Sequence, residues 1–192
     1  MASMSSFTKK IFVRLRVYYN FYWKHKGDVI SLMRARGAKI GTNCIARGGL
    51  STFVNSEPYL IHMGNNVRLT EGVRLVTHDG GTRVFRDLNP DWKKGTVKMG
   101  TIEIGDNVFV GVGSIILQNV KIGSNVVIGA GTVVPKDIPS NVVVVGVPAR
   151  ILCSIEEYER RSMEQSITIP DEFLDNREAY LTQKFWDQTN DK

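Results

Sequence analysis

A six-residue repeat of apolar side chains is the feature of this sequence that most limits its fold. From residue 104 an apolar side chain recurs at every sixth position, and glycine follows four of the six. The recurring residues are Ile104, Val110, Ile116, Ile122, Ile128 and Val134. A second set of small or β-branched residues lies four positions after each of them: Val108, Ser114, Val120, Val126, Thr132 and Ile138. A period of six matches neither the α-helix nor a long strand.

This period predicts an all-β solenoid built of hexapeptide repeats. Short strands alternate with turns, so that every sixth side chain points into one axial core, as in a parallel β-helix. β-Branched residues suit the strands, and glycine and asparagine suit turns with positive φ. Further hexads begin upstream at Ile40, Met63 and Leu69. Because one coil cannot bury its core face alone, the coils must stack.

The repeat is interrupted twice. The offset from Ile40 to Met63 is 23 residues and that from Leu75 to Ile104 is 29, each one short of a multiple of six. The second interruption contains glycines, a proline, a tryptophan and several charged residues. We therefore expect a loop extruded from the coils at residues 77–101. Functional residues often lie on such loops because the scaffold beneath them is rigid.

Segments of different composition flank the repeat. We expect the solenoid domain to cover residues 38–153, between a basic aromatic helical arm at 1–37 and C-terminal helices with a polar tail at 154–192. Ser154 and Glu157 have the spacing of a capping box, which predicts a helix to about residue 165. A second helical stretch, about residues 171–185, follows a proline.

The positive charge of the chain is concentrated in the arm. The formal net charge is +6, but residues 1–39 carry +8 and the remaining residues −2. The basic pI is therefore poor evidence for nucleic-acid binding by the solenoid, and no nucleic-acid-binding motif accompanies it. Seven aromatic residues lie among these cations, so the arm is either a packing helix or a peripheral contact with an anionic membrane surface.

The location expected from the sequence is the cytoplasm, at the inner face of the membrane if the arm binds lipid. No apolar run approaches the roughly 20 residues of a transmembrane helix. No secretory signal is evident at the start of the sequence. Two cysteines are too few for a disulfide framework.

Several motifs resemble those of the hexapeptide-repeat acyltransferases. They include residues 129–131 (Gly-Ala-Gly), 135–139 (Pro-Lys-Asp-Ile-Pro) and 146–150 (Gly-Val-Pro-Ala-Arg). Residues 104–111 are similar to the branch that contains maltose, galactoside and xenobiotic O-acetyltransferases. Residues 76–82 (Val-Thr-His-Asp-Gly-Gly-Thr) resemble the polysaccharide-biosynthesis O-acetyltransferases.

This resemblance implies a fold, an assembly and a reaction. The fold is a left-handed parallel β-helix of triangular section with about 18 residues per coil, and the assembly is a homotrimer. The co-substrate is acetyl-CoA, without a metal, and it lies in a cleft between neighbouring chains. The reaction is direct transfer of acetyl to a hydroxyl of a sugar or a cell-surface polysaccharide precursor, with one histidine as general base.

His78 is the candidate base among three histidines. It begins the extruded loop and matches the position of the base in the family, whereas His25 lies in the arm and His62 just before a hexad. A neutral imidazole near pH 7 can accept the proton of a hydroxyl as its oxygen attacks the thioester carbon. The resulting imidazolium can return the proton to the departing thiolate.

A catalytic imidazole usually has an acceptor on its other ring nitrogen. Asp79 is adjacent, Glu57 lies 21 residues earlier and Glu71 seven residues earlier. A backbone carbonyl could serve equally, so the sequence leaves this acceptor open. We assign Glu57 and Asp79 to the acceptor side of the site, together with Phe109, which the resemblance puts at the wall of the acceptor pocket.

The resemblance also implies the residues that bind acetyl-CoA. Val112 and Ala130 match positions along the pantetheine channel, Pro135 and Lys136 lie near the adenine end, and Arg150 lies near the phosphates. Lys136 and Arg150 carry the charge that phosphates need.

Other functions remain open at this point. A γ-class carbonic anhydrase shares the solenoid but needs three histidines around zinc, and residues 79–150 contain none. A non-catalytic scaffold would need neither a polar loop at a histidine nor cations at the cofactor end. Within the enzyme class, an N-acetyltransferase of a nucleotide-linked amino sugar and an antibiotic-modifying acetyltransferase are the alternatives.

Overall fold

The computed structural model describes residues 19, 24–48, 57–89, 91–92 and 95–186. The chain divides into two compact units, Met1–Glu156 and Glu157–Lys192. Most of the arm predicted at 1–37 lies outside the described residues. Its described part contains helix α1 (Val29–Ala35), which begins at Asp28, whose carboxylate accepts a hydrogen bond from the backbone N–H of Ile30.

The first unit contains a β-helix with three faces of hydrogen-bonded strands. Face A consists of β1 (Lys39–Ile40), β3 (Ile61–Met63), β8 (Ile102–Ile104) and β11 (Val120–Ile122). Face B consists of β2 (Ile45–Ala46), β4 (Arg68–Leu69), β9 (Val108–Val110), β12 (Val126–Ile128), β14 (Val142–Val145) and β15 (Arg150–Ser154). Face C consists of β5 (Arg74–Leu75), β10 (Ile115–Ile116) and β13 (Val133–Val134). All pairs within the faces are parallel except β14 with β15, which confirms the predicted parallel solenoid.

The strand registers show where the two interruptions of the repeat lie. Ile102 pairs with Val120, 18 positions later, so an uninterrupted coil contains three hexads. Ile61 pairs with Ile102, 41 positions later, and this coil therefore carries an insertion of 23 residues. Ile40 pairs with the residue 23 positions later, so the first coil carries five extra residues.

The longer insertion forms the loop predicted at residues 77–101, but it is more ordered than the sequence pattern indicated. Strands β6 (His78–Asp79) and β7 (Lys98–Met99) pair antiparallel at its base. Helix α2 (Thr82–Leu88) lies between them. The outgoing and returning segments leave and rejoin the coil side by side, which lets their backbones form a stem.

The axial core consists of the two recurring sets of side chains. Every member of the set from Ile104 to Val134 is at most 4% exposed. In the second set, Ser114 and Thr132 are fully buried, and both hydroxyls donate to the carbonyl oxygen of Gly129, at 2.9 and 2.7 Å. The core therefore contains polar atoms without leaving them unsatisfied.

One member of the second set departs from the repeat. Ile138 was expected to follow Val120 by one coil, but it bridges to Ile122, 16 positions earlier. The turn at residues 135–137 is thus two residues shorter than a regular coil requires. The pairing of Val127 with Val143 keeps the same 16-residue spacing, so the whole last coil is shortened.

Asparagine and glycine shape the corner between faces A and B, as the sequence predicted. The corner asparagines adopt φ angles between 52° and 62°: Asn43, Asn66, Asn107, Asn125 and Asn141. Their amides bond from coil to coil, for example Asn107 Nδ2 to Asn125 Oδ1 at 3.0 Å. The preceding glycines stack closely, and a β-carbon on Gly105 would lie 2.7 Å from Ser124 Oγ and 2.8 Å from the carbonyl carbon of Gly123.

The C-terminal segment is helical where the sequence predicted helices. Helix α3 (Ile155–Gln165) begins after Ser154, and α4 (Arg177–Phe185) follows a short 3₁₀ turn at Asp171–Phe173. Hydrogen bonds from its own backbone N–H and from the Ser154 hydroxyl lower the pKa of Glu156 in the first turn of α3. Among the described residues, no helix combines the length and the apolar character needed to cross a bilayer.

Candidate active site

His78 lies at the corner between faces C and A, where the loop leaves the coil. The neighbouring Thr77 is 1% exposed, whereas 46% of the His78 side chain is exposed, because successive side chains of an extended segment point to opposite sides. The backbone on both sides of the corner is held. Val76 N–H donates to the carbonyl of Ile116 at 2.8 Å, and Gly100 N–H donates to that of Thr77 at 2.9 Å.

Glu57 is the acceptor for the His78 ring. Its Oε2 lies 2.9 Å from His78 Nδ1 and also accepts a hydrogen bond from the Thr77 hydroxyl at 2.7 Å. The carboxylate side chain is only 13% exposed, and these two donors compensate for its burial. An ionised carboxylate can only accept, so the ring proton lies on Nδ1 and Nε2 is unprotonated. Of the acceptors that the sequence left open, the structure brings Glu57 to the ring.

The other two carboxylates have different neighbours. Asp79 Oδ1 accepts from the Gly81 backbone N–H at 2.8 Å and so shapes the turn that starts the loop. Glu71 lies exposed at the corner between faces B and C, where its carbonyl oxygen accepts from Gly113 N–H. The role of Asp79 in binding the acceptor stays a prediction.

A cleft of about 530 Å³ opens beside His78. Glu57, His78 and Arg83 line it with titratable or charged groups, and Val97 and Met99 form an apolar wall. The sequence analysis did not single out Arg83 or this wall. No repeat or motif marks them, because only the folding of the loop back over its own base brings them beside the histidine.

The residues predicted to bind acetyl-CoA lie at two different corners of the β-helix. Val112 and Ala130 lie 18 positions apart at the corner between faces B and C. Pro135 and Lys136 lie at the corner between faces C and A, the corner that also carries His78. All four cofactor residues are exposed. Face C separates the two corners, so a single chain does not bring these residues together.

Arg150 and Phe109 also lie away from His78 within one chain. Arg150 is exposed at the start of β15, where it pairs with Val145. Phe109 is 42% exposed on face B and lines a separate groove of about 330 Å³ that also includes Arg68. Its predicted place at the acceptor pocket is thus not reproduced by the folding of one chain alone.

His62 belongs to a third region of the surface. It is exposed on face A, pairs in register with Glu103 and lines a groove of about 710 Å³. In the part of the chain that the structure describes, no three His, Cys, Asp or Glu side chains are grouped so as to hold a metal ion. Cys44 and Cys153 are both free thiols.

Comparison with known proteins identifies the class to which this fold and site belong. Residues 101–136 match the family described as bacterial transferase hexapeptide (six repeats). Protein CapG of Staphylococcus aureus is 44% identical over 154 residues, which are 80% of this chain and 87% of CapG. The chain belongs to the hexapeptide-repeat transferase family. It is an enzyme of the acyltransferase class.

Two further similarities are partial. Galactoside O-acetyltransferase of Escherichia coli K12 is 37% identical over 121 residues, 63% of this chain and 56% of that enzyme. The chain thus spans about half the length of this relative. The solved structure of a maltose O-acetyltransferase from Clostridium difficile 630 is 31% identical and matches 65% of this chain and 73% of its own, with a TM-score of 0.45.

Proposed function

We propose that the chain transfers the acetyl group of acetyl-CoA to a hydroxyl of a sugar or a cell-surface polysaccharide precursor. The observation that carries the proposal is the hydrogen-bonded set of Thr77, Glu57 and His78 at the mouth of a cleft. Membership of the family supplies the acyltransferase class. The similarity to a galactoside O-acetyltransferase supports a sugar hydroxyl as the acceptor.

In this proposal His78 acts as the general base through Nε2. Glu57 holds the Nδ1 proton, which leaves the lone pair of Nε2 available to the acceptor hydroxyl. As the acceptor oxygen attacks the thioester carbonyl, a C–O bond forms, the C–S bond breaks, and the proton moves to Nε2. The imidazolium then returns this proton to the thiolate of coenzyme A. The negative charge of Glu57 stabilises the imidazolium between these two steps.

We further propose that acetyl-CoA binds between two copies of the chain in a left-handed homotrimer. If face C of each copy points to the threefold axis, the corner that carries His78 and Lys136 adjoins the corner of the next copy that carries Val112 and Ala130. A cofactor that spans both corners then has all its predicted contacts. Arg150, exposed near one end of the coils, supplies positive charge for the phosphates.

The test is an assay of thiol release from acetyl-CoA with a panel of free, nucleotide-linked and lipid-linked sugars. We expect His78→Ala to lower kcat by about two to four orders of magnitude, the usual contribution of a positioned general base. Binding of acetyl-CoA, measured by calorimetry, should change little. Near wild-type turnover in this variant, or an equal loss in His62→Ala, would contradict the role of His78.

A further inference from the structure

Arg83 brings to the His78 cleft a positive charge that acetyl transfer does not require. It is the second residue of α2 and lines the same cleft as His78. The residue is exposed, and its guanidinium forms no ion pair or hydrogen bond with any described residue. Arginine side chains stay charged at every physiological pH, so this cation is available to a ligand.

The backbone of Arg83 is anchored to the stem that also carries His78. Its N–H donates to the carbonyl oxygen of Gly80 at 3.1 Å. The preceding Thr82 is only 6% exposed, and its hydroxyl donates to the carbonyl oxygen of Thr96 on the returning segment at 3.4 Å. The start of the helix is thus held on both sides, and Arg83 stays at the edge of the cleft.

The rest of the cleft offers space and an apolar surface. A β-carbon at Gly80 or Gly95 would have no heavy atom within 4 Å, so this part of the cleft is open. Val97 and Met99 are 44% and 43% exposed beside it. The carboxylate of Glu57 is already bonded to two donors, so it does not neutralise an arriving ligand's partner at Arg83.

We propose that Arg83 determines acceptor specificity by binding a carboxylate or phosphate group of the acceptor. The acetylated hydroxyl then belongs to an anionic sugar, either a uronic acid or a sugar joined to a diphosphate. The C–H face of the sugar ring contacts Val97 and Met99, while the guanidinium forms paired hydrogen bonds with the anion. This inference rests on the proposed acetyl transfer at His78 and names the substrate class of that site.

Two matched pairs of acceptors test the inference, each with a neutral and an anionic member. One pair is methyl β-galactoside with methyl β-galacturonide, and the other is N-acetylglucosamine with UDP-N-acetylglucosamine. We expect Arg83→Gln to raise KM for the anionic member of one pair at least about tenfold, with kcat little changed, because a charge-assisted hydrogen bond is lost. KM for the neutral member should not change. The pair that responds distinguishes a carboxylate from a diphosphate.

Two further variants sharpen the test. Arg83→Lys keeps the charge without the planar fork and should recover part of the lost affinity. Arg177→Gln removes an arginine in the first turn of α4 and controls for the change in net charge. An equal rise in KM for charged and neutral acceptors, or the same effect in Arg177→Gln, would overturn the inference.

Calorimetric titration of the same four compounds separates this inference from the proposed function. Arg83-dependent binding of an anionic compound without any thiol release would support the inference and contradict acetyl transfer to these sugars. Thiol release without any effect of Arg83→Gln would support the proposed function and overturn the inference. Absence of Arg83-dependent binding overturns the inference whether or not turnover is seen.

Discussion

Glu57 Oε2 lies 2.9 Å from His78 Nδ1, although 21 positions of sequence separate the two residues. The contact forms because the segment before β3 and the corner after β5 stack at the same edge of the β-helix. Thr77, which precedes the histidine, donates to the same oxygen and fixes the carboxylate from a second direction. Glu57 is therefore a positioning residue, which acts on the acceptor through the ring of His78.

The first prediction concerns this contact. Glu57→Gln keeps the shape of the side chain but removes the charge that holds the Nδ1 proton and stabilises the imidazolium. We expect kcat to fall about 10- to 100-fold, as is usual when the partner of a functional histidine is lost. KM for acetyl-CoA should change little, because Glu57 does not face the predicted cofactor residues. Steady-state kinetics with both substrates varied measures this separation.

The control for this variant is Glu159→Gln, which removes an exposed carboxylate on α3. Thermal unfolding of both variants should match that of the wild-type protein. If Glu57→Gln retained full kcat, the carboxylate would have no part in orienting the ring. A fall in kcat together with a lower melting temperature would indicate a structural role instead.

The second prediction concerns assembly. Three chains of 21.5 kDa give about 64.5 kDa, and we expect this mass in solution by light scattering. The physical reason is that the residues predicted to bind acetyl-CoA lie at two corners that one chain keeps apart. A monomer at micromolar concentration would contradict the proposed site, because each chain would then carry only half of it.

The third prediction tests directly whether the site is shared between chains. His78→Ala removes the base at one corner, and Ala130→Trp fills the other corner with a bulky ring. Each variant alone should be nearly inactive. When both are co-expressed, some sites combine the intact His78 of one chain with the intact Ala130 of its neighbour, and we expect measurable turnover to return. No recovery in confirmed mixed trimers would place both residues in the site of a single chain.

The fourth prediction concerns the close stacking of the coils. Gly105→Ala would place a β-carbon 2.8 Å from the carbonyl carbon of Gly123, so one coil must shift. We expect a loss of about 1–3 kcal/mol in stability, which corresponds to several degrees in the melting temperature. Gly80→Ala is the matched control, since a β-carbon there meets nothing within 4 Å. Equal melting temperatures for the two variants would contradict this account of the corner.

The fifth prediction concerns the arm, most of which lies outside the described residues. We propose that residues 1–39, with a net charge of +8, hold the enzyme at the inner face of an anionic membrane. Each basic residue near such a surface contributes about 1 kcal/mol, and salt weakens the attraction. The full chain should co-sediment with anionic vesicles at low salt but not with neutral vesicles, and a chain without residues 1–35 should not.

A variant of the full chain with Lys9, Lys10, Arg14 and Arg16 changed to glutamine separates charge from length. We expect it to lose most of the binding that the deletion loses. If the wild-type chain stays in the supernatant with anionic vesicles at low salt, the arm is not a membrane contact. The remaining prediction for it would then be a packing helix.

Most of the fold follows from the hexad pattern itself. A side chain repeated every six residues can be buried only if the backbone turns by one face per hexad, and the 18-residue register from Ile102 to Val120 follows from that geometry. The glycine and asparagine positions predict the tight corners, because these residues accept positive φ or a close neighbouring chain. The two breaks in the period predict the insertions. The order inside the longer loop was not predictable, because α2 is a helix of seven residues without a strong pattern.

The sequence by itself determined the β-helix, its extruded loop and His78 as the candidate base, since these depend on local periodicity and on a motif that surrounds one histidine. Only the tertiary structure decided among the possible acceptors for the ring, because Glu57 reaches His78 through the stacking of coils, a contact without a fixed sequence spacing once residues are inserted. The same holds for Arg83, which the loop brings back over its own base. Periodicity determines which side chains point inward, whereas the site is built from side chains that point outward, and their neighbours depend on where each insertion folds.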